Sequence, residues 1–159
     1  MSTPARPSWD DIFMQVAEVV AQRSTCLRRN VGAVLVKDKH IIATGYNGAP
    51  AGMEHCIDKG VCLREELGVP SGEKYELCKS VHAEQNTIIQ AAIYGQNTRG
   101  AEIYITHAPC MICAKILVNA GVRKVIYKEN LISDRLAMDI LIDGGVLVEN
   151  YSPGKNGGR

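Results

Sequence analysis

From Trp9 to about Arg23 the apolar residues Ile12, Phe13, Val16, Ala17, Val19 and Val20 recur at helical spacing, which predicts an amphipathic helix covering one face of a sheet. Ser8 stands as its N-cap, and Asp10 and Asp11 meet the positive end of the helix dipole. The period then changes. Val31 to Val36 is a β-branched run, Lys37-Asp38-Lys39 a turn, and His40 to Tyr46 the returning strand, so a hairpin is predicted. Glu102 to Thr106 and Val125 to Tyr127 read as short buried strands, Asp134 to Ile142 as a helix and Val146 to Glu149 as a last strand. Two helical stretches separate the inner strands. One runs on from His82 through Ala83, Ile88, Ile89, Ala91 and Ala92, with Ser80 as the expected N-cap and His82 in the first turn. The other runs from Cys110 to about Asn119, with Pro109 at its first position and Gly121 closing it. A hairpin followed by alternating helices and strands predicts an α/β fold, a three-layer α/β/α sandwich around a five-stranded mixed sheet.

The length, 159 residues, fits one domain, with its core over about residues 9–150. Residues 48–79 interrupt it. Gly52, Gly60, Gly68, Pro70 and Gly72 punctuate this stretch, and only Cys62 to Leu67 looks briefly helical. A loop of that length inside a compact domain is functional, disordered or stapled. The lead from Met1 to Pro7 is expected to be disordered and the glycine-rich tail, about 152–159, mobile. Hydrophobic content of 46% and charged content of 22% are ordinary for a globular protein, and the net charge of +1 gives no field for a nucleic acid or a membrane partner. No apolar run is long enough to span a bilayer and no secretory core is visible, so the expected location is cytoplasmic. In that compartment six cysteines point to metal or catalysis more than to disulfides.

Two motifs carry the chemistry. Val81-His82-Ala83-Glu84 supplies an imidazole and, two residues on, a carboxylate; Pro109-Cys110-Met111-Ile112-Cys113 supplies two thiols one helical turn apart. His82, Cys110 and Cys113 make a three-ligand zinc set that leaves a fourth position for water. Thiols at a helix N-terminus are favoured as thiolates. Two thiolates formally cancel the charge of Zn²⁺, so the water must be activated by metal and base together, and Glu84 is the base at hand. A lone Cys-x-x-Cys reads equally as a redox pair, but His-x-Glu with Pro-Cys-x-x-Cys, each at a helix start, is the pattern of zinc deaminases acting on nucleobases.

These residues resemble the cytidine deaminase-like superfamily, and more closely the deoxycytidylate (dCMP) deaminases, over roughly residues 9–150. The resemblance rests on Val31-Gly32-Ala33-Val34, Thr44-Gly45-Tyr46-Asn47-Gly48-Ala49-Pro50, His82-Ala83-Glu84-Gln85-Asn86 and Pro109 to Lys115. Gly-Tyr-Asn-Gly-Ala-Pro is what narrows it to the nucleotide enzymes. The resemblance implies hydrolysis of dCMP to dUMP and ammonia, with zinc on His82, Cys110 and Cys113 and Glu84 moving protons. It also places Asn47 near the sugar, with a turn asparagine as the alternative reading, and both can hold. The nucleotide is expected against Asn47, Ala83, Arg28, Arg29 and Tyr127. Arg28 and Arg29 are chosen for the phosphate by proximity to the pocket mouth, with solvated charge as the alternative, and Tyr127 is either a pocket cover or core.

Cys26, Cys56, Cys62 and Cys78 would make a second, structural zinc tying the insertion to the body, with His55 as an alternative ligand and free thiols as the alternative reading. Some relatives carry such a site. The resemblance further implies a homo-oligomer, a hexamer, activated by dCTP and inhibited by dTTP with Mg²⁺ on the triphosphate, at an effector site of Gly45, Tyr46, Asn47 and Gly48. Competing readings are a tRNA adenosine deaminase, which the near-neutral charge disfavours, and a pterin or riboflavin-pathway deaminase. A non-catalytic zinc-binding assembly module is a third, and it has no use for Glu84.

Overall fold

The computed structural model describes residues 6–130 and 134–155. Its centre is a five-stranded mixed sheet of order β2-β1-β3-β4-β5. Strand β1, Gly32–Lys37, pairs antiparallel with β2, His40–Tyr46, and on its other side with β3, Glu102–His107. From β3 the sheet continues in parallel through β4, Lys124–Glu129, to β5, Leu147–Asn150. The β1–β2 turn places Asp38 and Lys39 at φ 49° and 62°, the paired positive angles of a tight hairpin whose twist suits the strands.

Alternation along the strands divides the core. Val34, Val36, Tyr104 and Ile126 face helix α1, Trp9–Ala21, and pack on Phe13, Met14 and Ala17. Ala33, Leu35, Ile103, Ile105 and Val125 face the opposite layer of three helices. These are α4, Ala83–Ile93; α5, Met111–Asn119; and α6, Arg135–Asp143. They bury mainly Ala83, Ala91, Ala114, Leu117, Ala137 and Leu141. The result is the three-layer α/β/α sandwich expected from the sequence, with α1 alone on one side. Helix α1 is fixed by a full capping box, the Ser8 hydroxyl accepting the Asp11 N–H and the Asp11 carboxylate accepting the Ser8 N–H.

Three local details differ from the sequence reading. Val81 forms a two-way backbone bridge with Gly48, so the chain is still extended there and α4 cannot start at Ser80. His82 is the N-cap instead, with φ −71° and ψ 156°, and its own N–H donates to the Gln85 side chain at 2.8 Å. Cys110 likewise caps α5, and Pro109 precedes the cap rather than opening the helix. Third, the 48–79 insertion carries more structure than Cys62 to Leu67: helices α2, Cys56–Lys59, and α3, Leu63–Glu66, and a 3₁₀ turn, Tyr75–Leu77. At the other end, the Gly154 N–H donates to Asp11, and residues 156–159 of the tail lie outside the described residues, as do 1–5 of the lead.

Strand β2 sets the position of α4. A Cβ on Gly45 would sit 2.5 Å from both the Ala83 carbonyl oxygen and the Thr87 hydroxyl, so only glycine lets the strand lie against the first turn of that helix. The Asn86 amide donates to the Tyr46 carbonyl at 2.8 Å and completes the clamp. No helix among the described residues is long and apolar enough to cross a membrane.

Candidate active site

The clamp on α4 and the β3–α5 connection bring two helix N-termini together. His82 Nδ1 lies 3.5 Å from Cys110 Sγ and 3.4 Å from Cys113 Sγ. Among the described residues these three form the one group of metal-ligating side chains whose donor atoms all lie within 4.8 Å of one another. A tetrahedral zinc with bonds of about 2.3 Å to sulfur and about 2.0–2.1 Å to nitrogen sets N···S edges of roughly 3.6 Å, so the spacing fits that ion.

The donors' acidity fits it too. Its hydrogen bond from Cys113, then that from His82, lowers the Cys110 thiol to about 4. Burial alone would depress the His82 imidazole, but hydrogen bonds to Cys110 and Cys78 raise it to about 10. The hydrogen bond to Cys110 and burial push Cys113 well above the ordinary thiol range. Protons shared among three converging donors are what a soft divalent cation displaces.

Glu84, only 5% exposed, shares the cavity with His82, Ala83 and Cys110. Burial raises its carboxyl to about 7, while the neighbouring imidazole pulls the other way. A carboxyl near neutrality both accepts and returns a proton at neutral pH. Tyr75 stands edge-on to His82, ring centroids 5.3 Å apart at 80°, and closes one wall. His107 lines the cavity as well. Burial keeps its imidazole below the usual value, against the pull of the Glu129 carboxylate 3.5 Å from Nε2.

Other expected residues divide. Asn47, Arg28 and Arg29 line the cavity. The Asn47 side chain is largely occupied: its oxygen accepts from Ser24 Oγ at 2.6 Å and the Val31 N–H at 2.9 Å, and its nitrogen donates to the Arg29 carbonyl at 2.9 Å. It therefore ties down the arginine loop and retains one N–H for other use. Tyr127 does not line the cavity; it sits within β4, paired with Ile105 and Asn150. Gly45, Tyr46 and Gly48 line a separate groove between β2 and α4, from which Asn47 is absent.

Cys26, Cys56, Cys62 and Cys78 are free thiols. They do not assemble at ligand spacing, yet they are neighbours: burial first, then the charges of Cys26, Cys62 and Cys78, raise the Cys56 thiol. Cys78 hydrogen-bonds His82, which lowers its thiol to about 7. His55 Nδ1 lies 3.0 Å from Thr25 Oγ1, and the residue lines the second groove.

The sequence reading missed Tyr75, His107, Ser80 and Arg64, all in the cavity wall. His107, two residues before Pro109 at a strand end, had a usable signal. The insertion residues had none, because an aperiodic loop gives no facing direction.

A family profile described as the cytidine and deoxycytidylate deaminase zinc-binding region matches residues 7–129. ComE operon protein 2 of Bacillus subtilis is 40% identical over 91% of this chain and 71% of its own length. The deoxycytidylate deaminase of Schizosaccharomyces pombe is 36% identical over 95% of this chain, which spans only 46% of that protein. Among solved structures, the dCMP deaminase of cyanophage S-TIM5 in complex with dCMP and dUMP aligns with a TM-score of 0.75 and 32% identity, covering 95% of this chain and 100% of that one. The chain belongs to the cytidine and deoxycytidylate deaminase family.

Proposed function

We propose that this chain hydrolyses dCMP to dUMP and ammonia. The observation that carries the reading is the buried Glu84 carboxyl, which shares one cavity with His82 and Cys110 of the His82–Cys110–Cys113 cluster. The likeness to deoxycytidylate deaminases over more than nine-tenths of the chain supplies the substrate. Zinc on those three residues would supply an acidified water for attack on C4 of the base. Glu84 would carry one proton from the attacking water to N3, and then the second, from the new hydroxyl on C4, to the departing amine, which leaves as ammonia. Asn47 holds the Arg29 loop and offers its remaining N–H to the sugar.

Several finer elements belong to the same proposal. A second zinc on Cys26, Cys56, Cys62 and Cys78 is supported by their mutual proximity and requires the thiols to draw in. Activation by dCTP and inhibition by dTTP, with Mg²⁺ on the triphosphate, would use the groove at Gly45, Tyr46 and Gly48. A hexameric assembly rests on the family resemblance, and a cytoplasmic location is the expectation carried over from the sequence.

The test is ammonia release from dCMP by zinc-loaded protein, with and without dCTP and Mg²⁺, beside deoxycytidine and a tRNA substrate. Turnover of dCMP raised by dCTP is expected. Deamination of tRNA but not of dCMP would keep the zinc chemistry and discard the substrate.

A further inference from the structure

The insertion reaches the metal cluster through its 3₁₀ turn, Tyr75–Leu77, and the Cys78 that follows it. Tyr75 stands edge-on to the His82 imidazole, ring centroids 5.3 Å apart at 80°, and the Cys78 thiol hydrogen-bonds the same imidazole. The two contacts belong to one unit, since the Cys78 N–H donates to the Tyr75 carbonyl at 3.0 Å. Neither side chain is a member of the His82–Cys110–Cys113 group, although both share its cavity.

That unit is braced from behind. The Arg64 guanidinium is buried over the Tyr75 ring, 4.9 Å from its centroid. Its Nη2 donates to the carbonyls of Pro70 at 3.2 Å and Glu73 at 2.6 Å, which fixes the guanidinium to the loop before the turn. Lys74, which opens the turn, holds φ 47° and ψ 53°, a left-handed conformation uncommon for a residue with a side chain. Such an angle persists where the surroundings determine the backbone, and here it precedes the two residues that meet His82.

The chemistry of His82 calls for support of this kind. Its Nδ1 faces Cys110 and Cys113, at 3.5 and 3.4 Å, and is the nitrogen that a metal on this cluster takes. The ring then keeps a single N–H, on Nε2. Metal-ligating histidines almost always give that second N–H to an acceptor, which fixes the tautomer and the direction of the ring. Here the acceptor beside the ring is the sulfur of Cys78.

We propose that Tyr75 and Cys78 are positioning residues for the catalytic centre: they orient the His82 imidazole, so that the insertion sets how tightly His82 holds its metal. The inference rests on zinc at His82, Cys110 and Cys113 and deepens that reading. It does not depend on a second zinc, because a thiolate sulfur that ligates a metal keeps lone pairs for the His82 N–H. The insertion then serves the reaction from outside the ligand set, through one ring edge and one sulfur.

The experiment compares Cys78→Ala with Cys56→Ser. Each removes one thiol of the insertion-side cluster, so the two carry the same number of ions whether or not a second zinc exists, and only Cys78→Ala strips His82 of its partner. In chelator competition Cys78→Ala should hold the remaining zinc about 10- to 100-fold less tightly than Cys56→Ser, the range for loss of a partner behind a metal ligand. The visible absorption bands of the cobalt-loaded proteins, which report ligand geometry, should differ between the two, and Cys78→Ser, which keeps an acceptor, should recover part of both effects. Equal zinc affinity and identical cobalt spectra in Cys78→Ala and Cys56→Ser would overturn the inference, whether both match wild type or both fall by the same amount. Should Cys78→Ala fail to fold, Tyr75→Leu must weaken zinc while Tyr75→Phe, which keeps the ring edge, does not; equal behaviour of that pair would also overturn it. A wild type that binds zinc while these variants are unaffected sinks this inference alone. A wild type that binds no zinc sinks the metal reading with it.

Discussion

Asp134 Oδ2 accepts the Met111 N–H at 2.9 Å while its Oδ1 accepts the Ala137 N–H at 3.1 Å, so a single carboxylate caps both α5 and α6. Met111 follows Cys110 directly, and the cap on α6 thereby holds the metal end of α5. Replacing a capping Asp with Ala costs about 1–2 kcal/mol. Asp134→Ala should lose about that much stability in urea denaturation and should also hold zinc less tightly in a chelator competition. Asp134→Asn keeps an acceptor oxygen and should recover part of both. Stability loss without any change in zinc retention would mean that the α5 contact does not position the ligands.

The hairpin was legible because an apolar, β-branched run and a returning strand flank a Lys-Asp-Lys turn, and the zinc set was legible because its spacing is carried by chemistry that few other residue types perform. Helix starts were less so. Ser80 is the better intrinsic cap, but the bridge between Val81 and Gly48 keeps the backbone extended and moves the cap to His82. Tyr127 looked plausible as a pocket cover because a strand end normally faces a site, yet it falls within the β4 ladder. Arg64 was invisible for another reason. Its partners are two backbone carbonyls and one ring within the same aperiodic stretch, and no sequence pattern encodes such contacts.

Glu84→Gln preserves shape and burial while removing the transferable proton. Zinc content and thermal stability should remain near wild type, and kcat for dCMP should fall by about 10²–10⁴-fold, the range for loss of a positioned acid–base group. Ammonia release and metal analysis on the same preparation check both halves. Surviving turnover would remove Glu84 from the proton path.

The second zinc predicts a stoichiometry. Wild-type protein purified with zinc should carry two ions per chain, Cys56→Ser should lose one and keep the other, and Cys110→Ala should lose the other. Removal of both by a strong chelator should abolish turnover, and added Zn²⁺ should restore it. One ion per chain, absent in Cys110→Ala and retained in Cys56→Ser, would leave the four insertion-side cysteines as ordinary thiols.

Asp11 joins the two ends of the fold. Its Oδ1 accepts the Tyr151 hydroxyl at 2.7 Å and the Gly154 N–H at 3.1 Å, and its other oxygen serves the Ser8 capping box. Those bonds, Tyr151 first, then Ser8, then Gly154, lower the carboxyl from 3.8 to about 2. A group whose folded pKa is depressed stabilises the fold above its unfolded value and loses that contribution as pH falls through the folded one. The contribution is therefore complete above pH 3.8 and disappears as pH falls through about 2. Tyr151→Phe removes the largest cause, so the mutant's deficit in urea denaturation should be constant from roughly pH 5 to 7 and shrink below about pH 4. Comparing the two proteins at each pH cancels metal release, which affects both alike. A deficit that grows on acidification, or one that is flat down to pH 2, would show that Tyr151 acts through packing on α1 and not through this carboxylate.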